Sequence, residues 1–147
     1  MYKKNIRVLM IEPPNQAALK EKARPNGNLG PAYIMGALKE HGVEVDYLDC
    51  TVGREGEDLD KTFYNREELE NGNIRYGMNS KELYNIFSNY DIIATSSIFT
   101  IQTRMHFEIA KIAKKVSKDS GKKLLVVSGG VNARALREHF LSNGFDI

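Results

Sequence analysis

The chain has 147 residues, one domain's worth, and its 21 Lys+Arg against 19 Asp+Glu leave a formal net charge of +2, too weak a field to argue for nucleic acid. Hydrophobic residues at 41% can build a core, which excludes wholesale disorder. No apolar run approaches the ~18 residues of a membrane span, and the run that follows Met1-Tyr2-Lys3-Lys4-Asn5 is too short for a signal-peptide core, so the cytoplasm is the expected location.

Ile6-Arg7-Val8-Leu9-Met10-Ile11 predicts a first strand buried on both faces, ended by Glu12-Pro13-Pro14. Residues 13–30 predict a loop, with Pro13, Pro14, Pro25, Gly27 and Gly30. Pro31 suits the first turn of a helix that runs to about His41 and stops at Gly42. Residues 43–49 predict a second strand. Residues 53–79 are the least regular part; a patch from Leu59 to Leu69 suggests some helix, within a partly helical insertion or a mobile flap. A short helix is expected at 81–88 and a third strand at 91–96. Ile101, Met105, Ile109, Ile112 and Val116 then recur at steps of 4, 4, 3 and 4, which puts them on one helix face. Lys111, Lys114, Lys115 and Lys118 lie largely off that stripe, as a solvated face. Gly121 closes this helix, and residues 123–128 predict a fourth strand. Gly129-Gly130 opens a last helix with Ala133, Leu136 and Phe140 on one side; Gly144 ends it, and Phe145-Asp146-Ile147 reads as the start of a fifth strand.

Alternating strands and helices predict an α/β fold: a doubly wound, flavodoxin-like or Rossmann-like parallel sheet. Ligands of such sheets bind at the carboxyl ends of the strands, near the switch in strand order. The loop after strand one carries neither a dinucleotide nor a P-loop glycine pattern, and prolines supply no N–H for a phosphate nest. It reads as a rigid strand exit or as a donor-free wall against a flat ligand. After strand three, the hydroxyls of Thr95-Ser96-Ser97-Ile98-Phe99-Thr100 can cap a helix or bond a ligand. After strand four, Ser128-Gly129-Gly130-Val131-Asn132 allows close backbone approach at a helix N-terminus. His41, His106 and His139 are scattered and read as structural or solvated, and no nucleophile elbow occurs. The lone Cys50 excludes an internal disulfide and any iron–sulfur cluster or all-cysteine zinc site held by this chain alone.

In order and spacing these pieces resemble the cobalamin-binding domain at the N-terminus of cobalamin-dependent radical SAM enzymes. The opening strand with Pro13-Pro14-Asn15, the Leu29-Gly30-Pro31-Ala32-Tyr33 helix start, residues 38–45, residues 91–100 and Val127-Ser128-Gly129-Gly130 carry the likeness over nearly the whole chain. Val131-Asn132 stands where the family often has Pro and His, and Asn28 replaces a frequent Pro. The wider family's D-x-H-x-x-G is absent, and residues 12–30 contain no His.

The resemblance implies that residues 1–147 form one cobalamin-binding domain, with an insertion or flap at about 53–79. Pro14, Asn15 and Gln16 would lie beneath the corrin. The turn Ser96, Ser97, Ile98, Phe99 and Thr100 would bond the nucleotide tail through its hydroxyls. The tail would pass against Gly129, Gly130, Val131 and Asn132. No catalytic residue and no metal ligand is expected from the chain, and cobalt receives no histidine from it. A radical SAM domain, with a [4Fe-4S] cluster and S-adenosylmethionine, is expected in a longer parent and is absent here. The family continues through strand five where this chain stops, so the domain reads as truncated there; tight binding is expected of the parent, and weak or no binding of residues 1–147 alone. The parent is expected to be a methyltransferase passing a methyl group from S-adenosylmethionine through cobalamin to a substrate. No nucleic acid and no membrane is an expected partner. The rival readings are a flavodoxin-like module binding a nucleotide or flavin without catalysis, and a regulatory partner module with an empty crevice.

Overall fold

The computed structural model describes residues 6–21, 24 and 28–147. Pro25 and Gly27, read above as loop, and the first five residues lie outside them. The centre is β1 (Arg7–Glu12), whose four middle residues are buried. It pairs in parallel with β3 (Glu44–Asp49) on one side and β6 (Ile92–Ser96) on the other. β6 in turn pairs with β7 (Leu125–Gly129), giving a four-stranded parallel sheet of order β3-β1-β6-β7.

Alternation along β1 divides the core. Val8 and Met10 face helix α1 (Leu29–Glu40) through Met35 and Leu38. Leu9 and Ile11 face the other way, toward Leu83 and Phe87 of α2 (Ser80–Phe87) and Ile109 and Val116 of α3 (Thr103–Ser120). Helices therefore cover both faces, and the architecture is an α/β sheet compatible with a Rossmann or flavodoxin-like fold. Among the described residues no helix is long and apolar enough to cross a membrane.

Several elements differ from the sequence reading. The loop at 13–30 contains a strand, β2 (Asn15–Ala18). It pairs antiparallel with β5 (Asn73–Tyr76), which also pairs with β4 (Arg66–Glu68). Residues 53–79 hold β4, β5 and little helix. Their helix is one 3-10 turn at Leu59–Lys61, and the rest completes a small three-stranded sheet of order β2-β5-β4. Asn28 caps α1, its side chain accepting from the Gly30 N–H at 3.0 Å, so the helix opens before Pro31. Ile101 sits in a 3-10 turn (Thr100–Gln102) ahead of α3 and is 60% exposed, while Met105, Ile109, Ile112 and Val116 are buried as their spacing requires. Lys114 is not simply solvated: its Nζ pairs with Asp146 at 2.7 Å. The last helix divides into α4 (Val131–Ala135) and α5 (Arg137–Ser142) at Leu136, whose ψ of 34° leaves the helical region. Beyond it the Asp146 N–H donates to the Val126 carbonyl at 2.8 Å, and the Ser128 N–H to the Ile147 carbonyl at 2.9 Å. The segment expected to begin a fifth strand therefore lies against β7.

Candidate functional site

The strand order reverses at β1: the chain leaves it for β3 on one side, and the later strands build out from β6 on the other. Loops leaving β1 and β6 must diverge there, and a crevice opens between them. It has a volume of about 310 Å³. Glu12, Pro13 and Pro14 form one wall, Ser96, Ile98 and Phe99 the other, and Asn15, Asn28, Gln102 and His106 complete it.

The prolines force the wall. Without N–H groups Pro13 and Pro14 cannot extend the ladder, so the chain leaves the parallel sheet and enters β2. β5 runs on close beneath them: a Cβ on Gly77, whose φ is +127°, would lie 2.8 Å from the Cys50 carbonyl oxygen and 3.0 Å from Pro14 Cα. Gln16 is tied into the protein, while its Oε1 is buried with no partner among the described residues. Its N–H donates to Gln102 Oε1 at 3.1 Å, Gln102 Nε2 donates to its carbonyl at 3.0 Å, and its own Nε2 donates to the Ile101 carbonyl. This pair pins β2 to the start of α3.

The expected site residues divide. Pro14, Asn15, Ser96, Ile98 and Phe99 line the crevice. Gly129, Gly130 and Val131 line a second cleft of about 680 Å³ beside β7, with Arg134, Arg137 and Phe140. Between the two stands a polar junction organised by Asn132, which is 4% exposed. Asn132 Nδ2 donates to Ser97 Oγ at 2.8 Å and Thr103 Oγ1 at 2.9 Å, its Oδ1 accepts from Thr100 Oγ1 at 3.2 Å, and its N–H donates to the Ser97 carbonyl at 3.1 Å. The Thr100 hydroxyl donates within the protein and the Ser97 hydroxyl is fully buried. Ser96 differs: it is half-buried, lines the crevice, and its hydroxyl has no protein partner among the described residues.

The burial of two further groups at the crevice was not legible from sequence. Glu12 ends β1 opposite Asp49 in register. Burial, and then the Asp49 charge, push its carboxyl up to about 7 against a weaker opposing bond from Asn28 Nδ2 at 3.5 Å. His106 on α3 is 4% exposed, and burial holds its imidazole down at about 4, so it is neutral at pH 7. Its Nδ1 is buried without a partner among the described residues. Neither residue type announces burial; only the meeting of three loops creates it.

Glu12 makes stability depend on pH. The folded state holds this proton more tightly than the unfolded one, so its contribution is lost as pH rises from about 4.5 through about 7. The size is roughly 2–3 kcal/mol by ~1.4 kcal/mol per pKa unit, discounted for partial exposure. Glu12→Gln should therefore stabilise the protein at pH 8 and much less at pH 5. Urea melts at the two pH values check it, and equal effects would contradict it.

No family model matches the chain. It is similar to the cytidylyl-2-hydroxyethylphosphonate methyltransferase of Streptomyces wedmorensis, with 26% identity over 132 residues. The match covers 87% of this chain but 22% of the relative, so the chain spans less than a quarter of that protein's length.

Proposed function

We propose that this chain is the cobalamin-binding domain of a cobalamin-dependent radical SAM methyltransferase, and that the crevice between β1 and β6 takes the cofactor's nucleotide end. The observation that carries the reading is the crevice itself: it opens at the strand-order switch and keeps a free hydroxyl at Ser96. The likeness to a methyltransferase supports the reaction class.

The residues present fit the group. At about 310 Å³ the crevice is at the lower end for ligand pockets and suits one heterocycle and not a whole corrin. Its walls of Pro13, Pro14, Ile98 and Phe99 are apolar, and its polar atoms are few. Phe99, Ile101 and Val131 stand 60–68% exposed at the same end of the sheet, as an apolar rim for the larger part of the cofactor. A Cβ on Gly129 would meet nothing within 4 Å, so backbone is open to a passing chain there.

When bound, cobalamin would supply methyl carriage, with S-adenosylmethionine and a [4Fe-4S] cluster belonging to a radical SAM domain of a longer parent. This chain's own work is placement. Ser96 would bond the tail, the prolines would wall it, and the Asn132 junction would fix the distance between the Ser96 and Gly129 turns.

Equilibrium dialysis of the longer parent protein against hydroxocobalamin and against FMN, read by visible absorbance, tests this. Cobalamin should be retained and FMN should not. Ser96→Ala should weaken retention by roughly 1–3 kcal/mol, the usual cost of stranding a buried partner. Retention of FMN in preference to cobalamin, or of neither, would overturn the reading.

A further inference from the structure

Burial alternates along β6 and β7 as it does not along the middle of β1. Ile93 and Val126 are fully buried, whereas Ile92, Ala94, Leu125 and Val127 are half-buried. Register puts these four on one face: Ile92 stands beside Val8 and Leu125, and Ala94 beside Met10 and Val127. That is the α1 side of the sheet. On the other side Leu83, Ile109, Ala133 and Phe140 belong to one continuous core with Ile93 and Val126. Among the described residues the core of the α1 side consists of Val8, Met10 and Val45, and it stops at β1.

A parallel sheet is covered on both faces, and its strands read as continuous apolar runs for that reason. Ile92-Ile93-Ala94 and Leu124-Leu125-Val126-Val127 are such runs. A strand with one face in water would alternate apolar with polar residues. These two strands therefore carry the sequence of a covered sheet on a face that stands half open. α1 forms the side wall of the opening. Pro31, Met35 and Leu38 turn toward the sheet. A right-handed helix on the right-handed crossover from β1 to β3 then turns Ile34 and Ala37 toward β6. Both are exposed, and the helix has no charged residue before Lys39. A helix flank that faced water would be polar.

The path of the chain says what fills the opening. Phe145-Asp146-Ile147 runs parallel along the outer edge of β7, with Phe145 in the core of the opposite face. It heads toward the carboxyl end of the sheet. A chain leaving there returns over one face or the other, and α2, α3 and α5 already occupy one of them. The match to the methyltransferase covers 22% of that protein, so in a parent of that kind most of the chain lies outside this domain.

We infer that the α1 side of β6 and β7 is a docking groove for an amphipathic helix of the same polypeptide, supplied by the segment that follows Ile147 in the longer parent. The apolar stripe of that helix meets Ile92, Ala94, Leu125 and Val127, and its flank packs beside Ile34 and Ala37 of α1. The inference rests on the longer parent of the proposed function and not on its cofactor.

Hydroxyl-radical footprinting of the parent, without added cobalamin, is the first arm. Ile92, Leu125 and Val127 should be oxidised as slowly as Ile93 and Val126, their buried neighbours in the same strands. Oxidation several-fold faster than those neighbours would show an open face and overturn the inference. The second arm identifies the occupant. Photoreactive benzoylphenylalanine takes the place of Ala37, whose exposed position on α1 tolerates a large side chain. On irradiation it should join, within one molecule, a peptide from roughly the first 30 residues after Ile147, about the length of one strand–helix unit. Capture of a second copy, of a more distant segment or of nothing would overturn the inference. Neither arm involves cobalamin. A parent that passes both and retains no cobalamin keeps this inference and loses the proposed function.

Discussion

Gly130→Val is expected to destabilise the protein by roughly 3–5 kcal/mol, from overpacking together with a forced backbone conformation. A Cβ at this position would lie 2.2 Å from the Ser97 carbonyl oxygen, 2.9 Å from its carbon and 3.0 Å from its nitrogen. All three are backbone atoms, so no side chain can swing aside. Gly130 also has φ +95°, which a branched residue tolerates poorly. The Ser97 backbone is held from both sides, its N–H donating to the Gly129 carbonyl at 2.8 Å and its carbonyl accepting from the Asn132 N–H at 3.1 Å. Moving Ser97 would therefore break the junction between the turns after β6 and β7. Gly129→Val is the matched control. Its side chain enters open space, so stability should stay within about 0.5 kcal/mol of wild type. On the proposed function it should still reduce cobalamin binding, by obstructing the tail. Urea melts and dialysis of both variants separate the roles. If Gly130→Val were as stable as Gly129→Val, the tight contact with Ser97 would be refuted.

That pair of glycines marks how far the sequence could be read. Gly-Gly after a strand signals close backbone approach, but not what approaches. For Gly130 it is the neighbouring turn; for Gly129 nothing in the protein fills the space. The parallel sheet and α3 were legible because each repeats a period: β1 is apolar along its length, and α3 carries buried residues at helical steps. The small sheet had no such signal. β4 is Arg-Glu-Glu and fully exposed, β2 begins with buried Asn and Gln, and their common partner β5 is far along the chain from β2. Strands of three or four polar residues are fixed by pairing and not by pattern. For His106 the sequence placed the residue near the crevice and off the buried stripe of α3, but not its burial there beside Phe140.

Arg75→Met is expected to loosen that small sheet and, with it, one wall of the crevice. Arg75 lies on β5 and is 5% exposed. Its Nε and Nη2 donate to Glu108 of α3 at 2.9 and 2.6 Å, and Nη2 also donates to the Met78 carbonyl at 2.8 Å. One planar fork thus ties β5 to the helix and to its own exit loop. Removing the guanidinium strands the Glu108 carboxylate, which is 21% exposed and among the described residues keeps only Ser80 Oγ, at 3.1 Å, as a donor. Breaking such a pair costs about 3–5 kcal/mol. Replacing both partners should cost far less, so Arg75→Met with Glu108→Leu should recover much of the loss. A double-mutant cycle would then show coupling of about 1–3 kcal/mol. The loss should also be local. Gln16 sits opposite Arg75 and Asn15 opposite Tyr76 in the β2–β5 register, so hydrogen exchange should quicken across β2, β4 and β5 before β1 or β6. Faster exchange spread evenly over both sheets would show that Arg75 supports the whole fold instead. If the expected pattern holds, the arginine is what keeps Asn15 and the proline wall at the edge of the crevice.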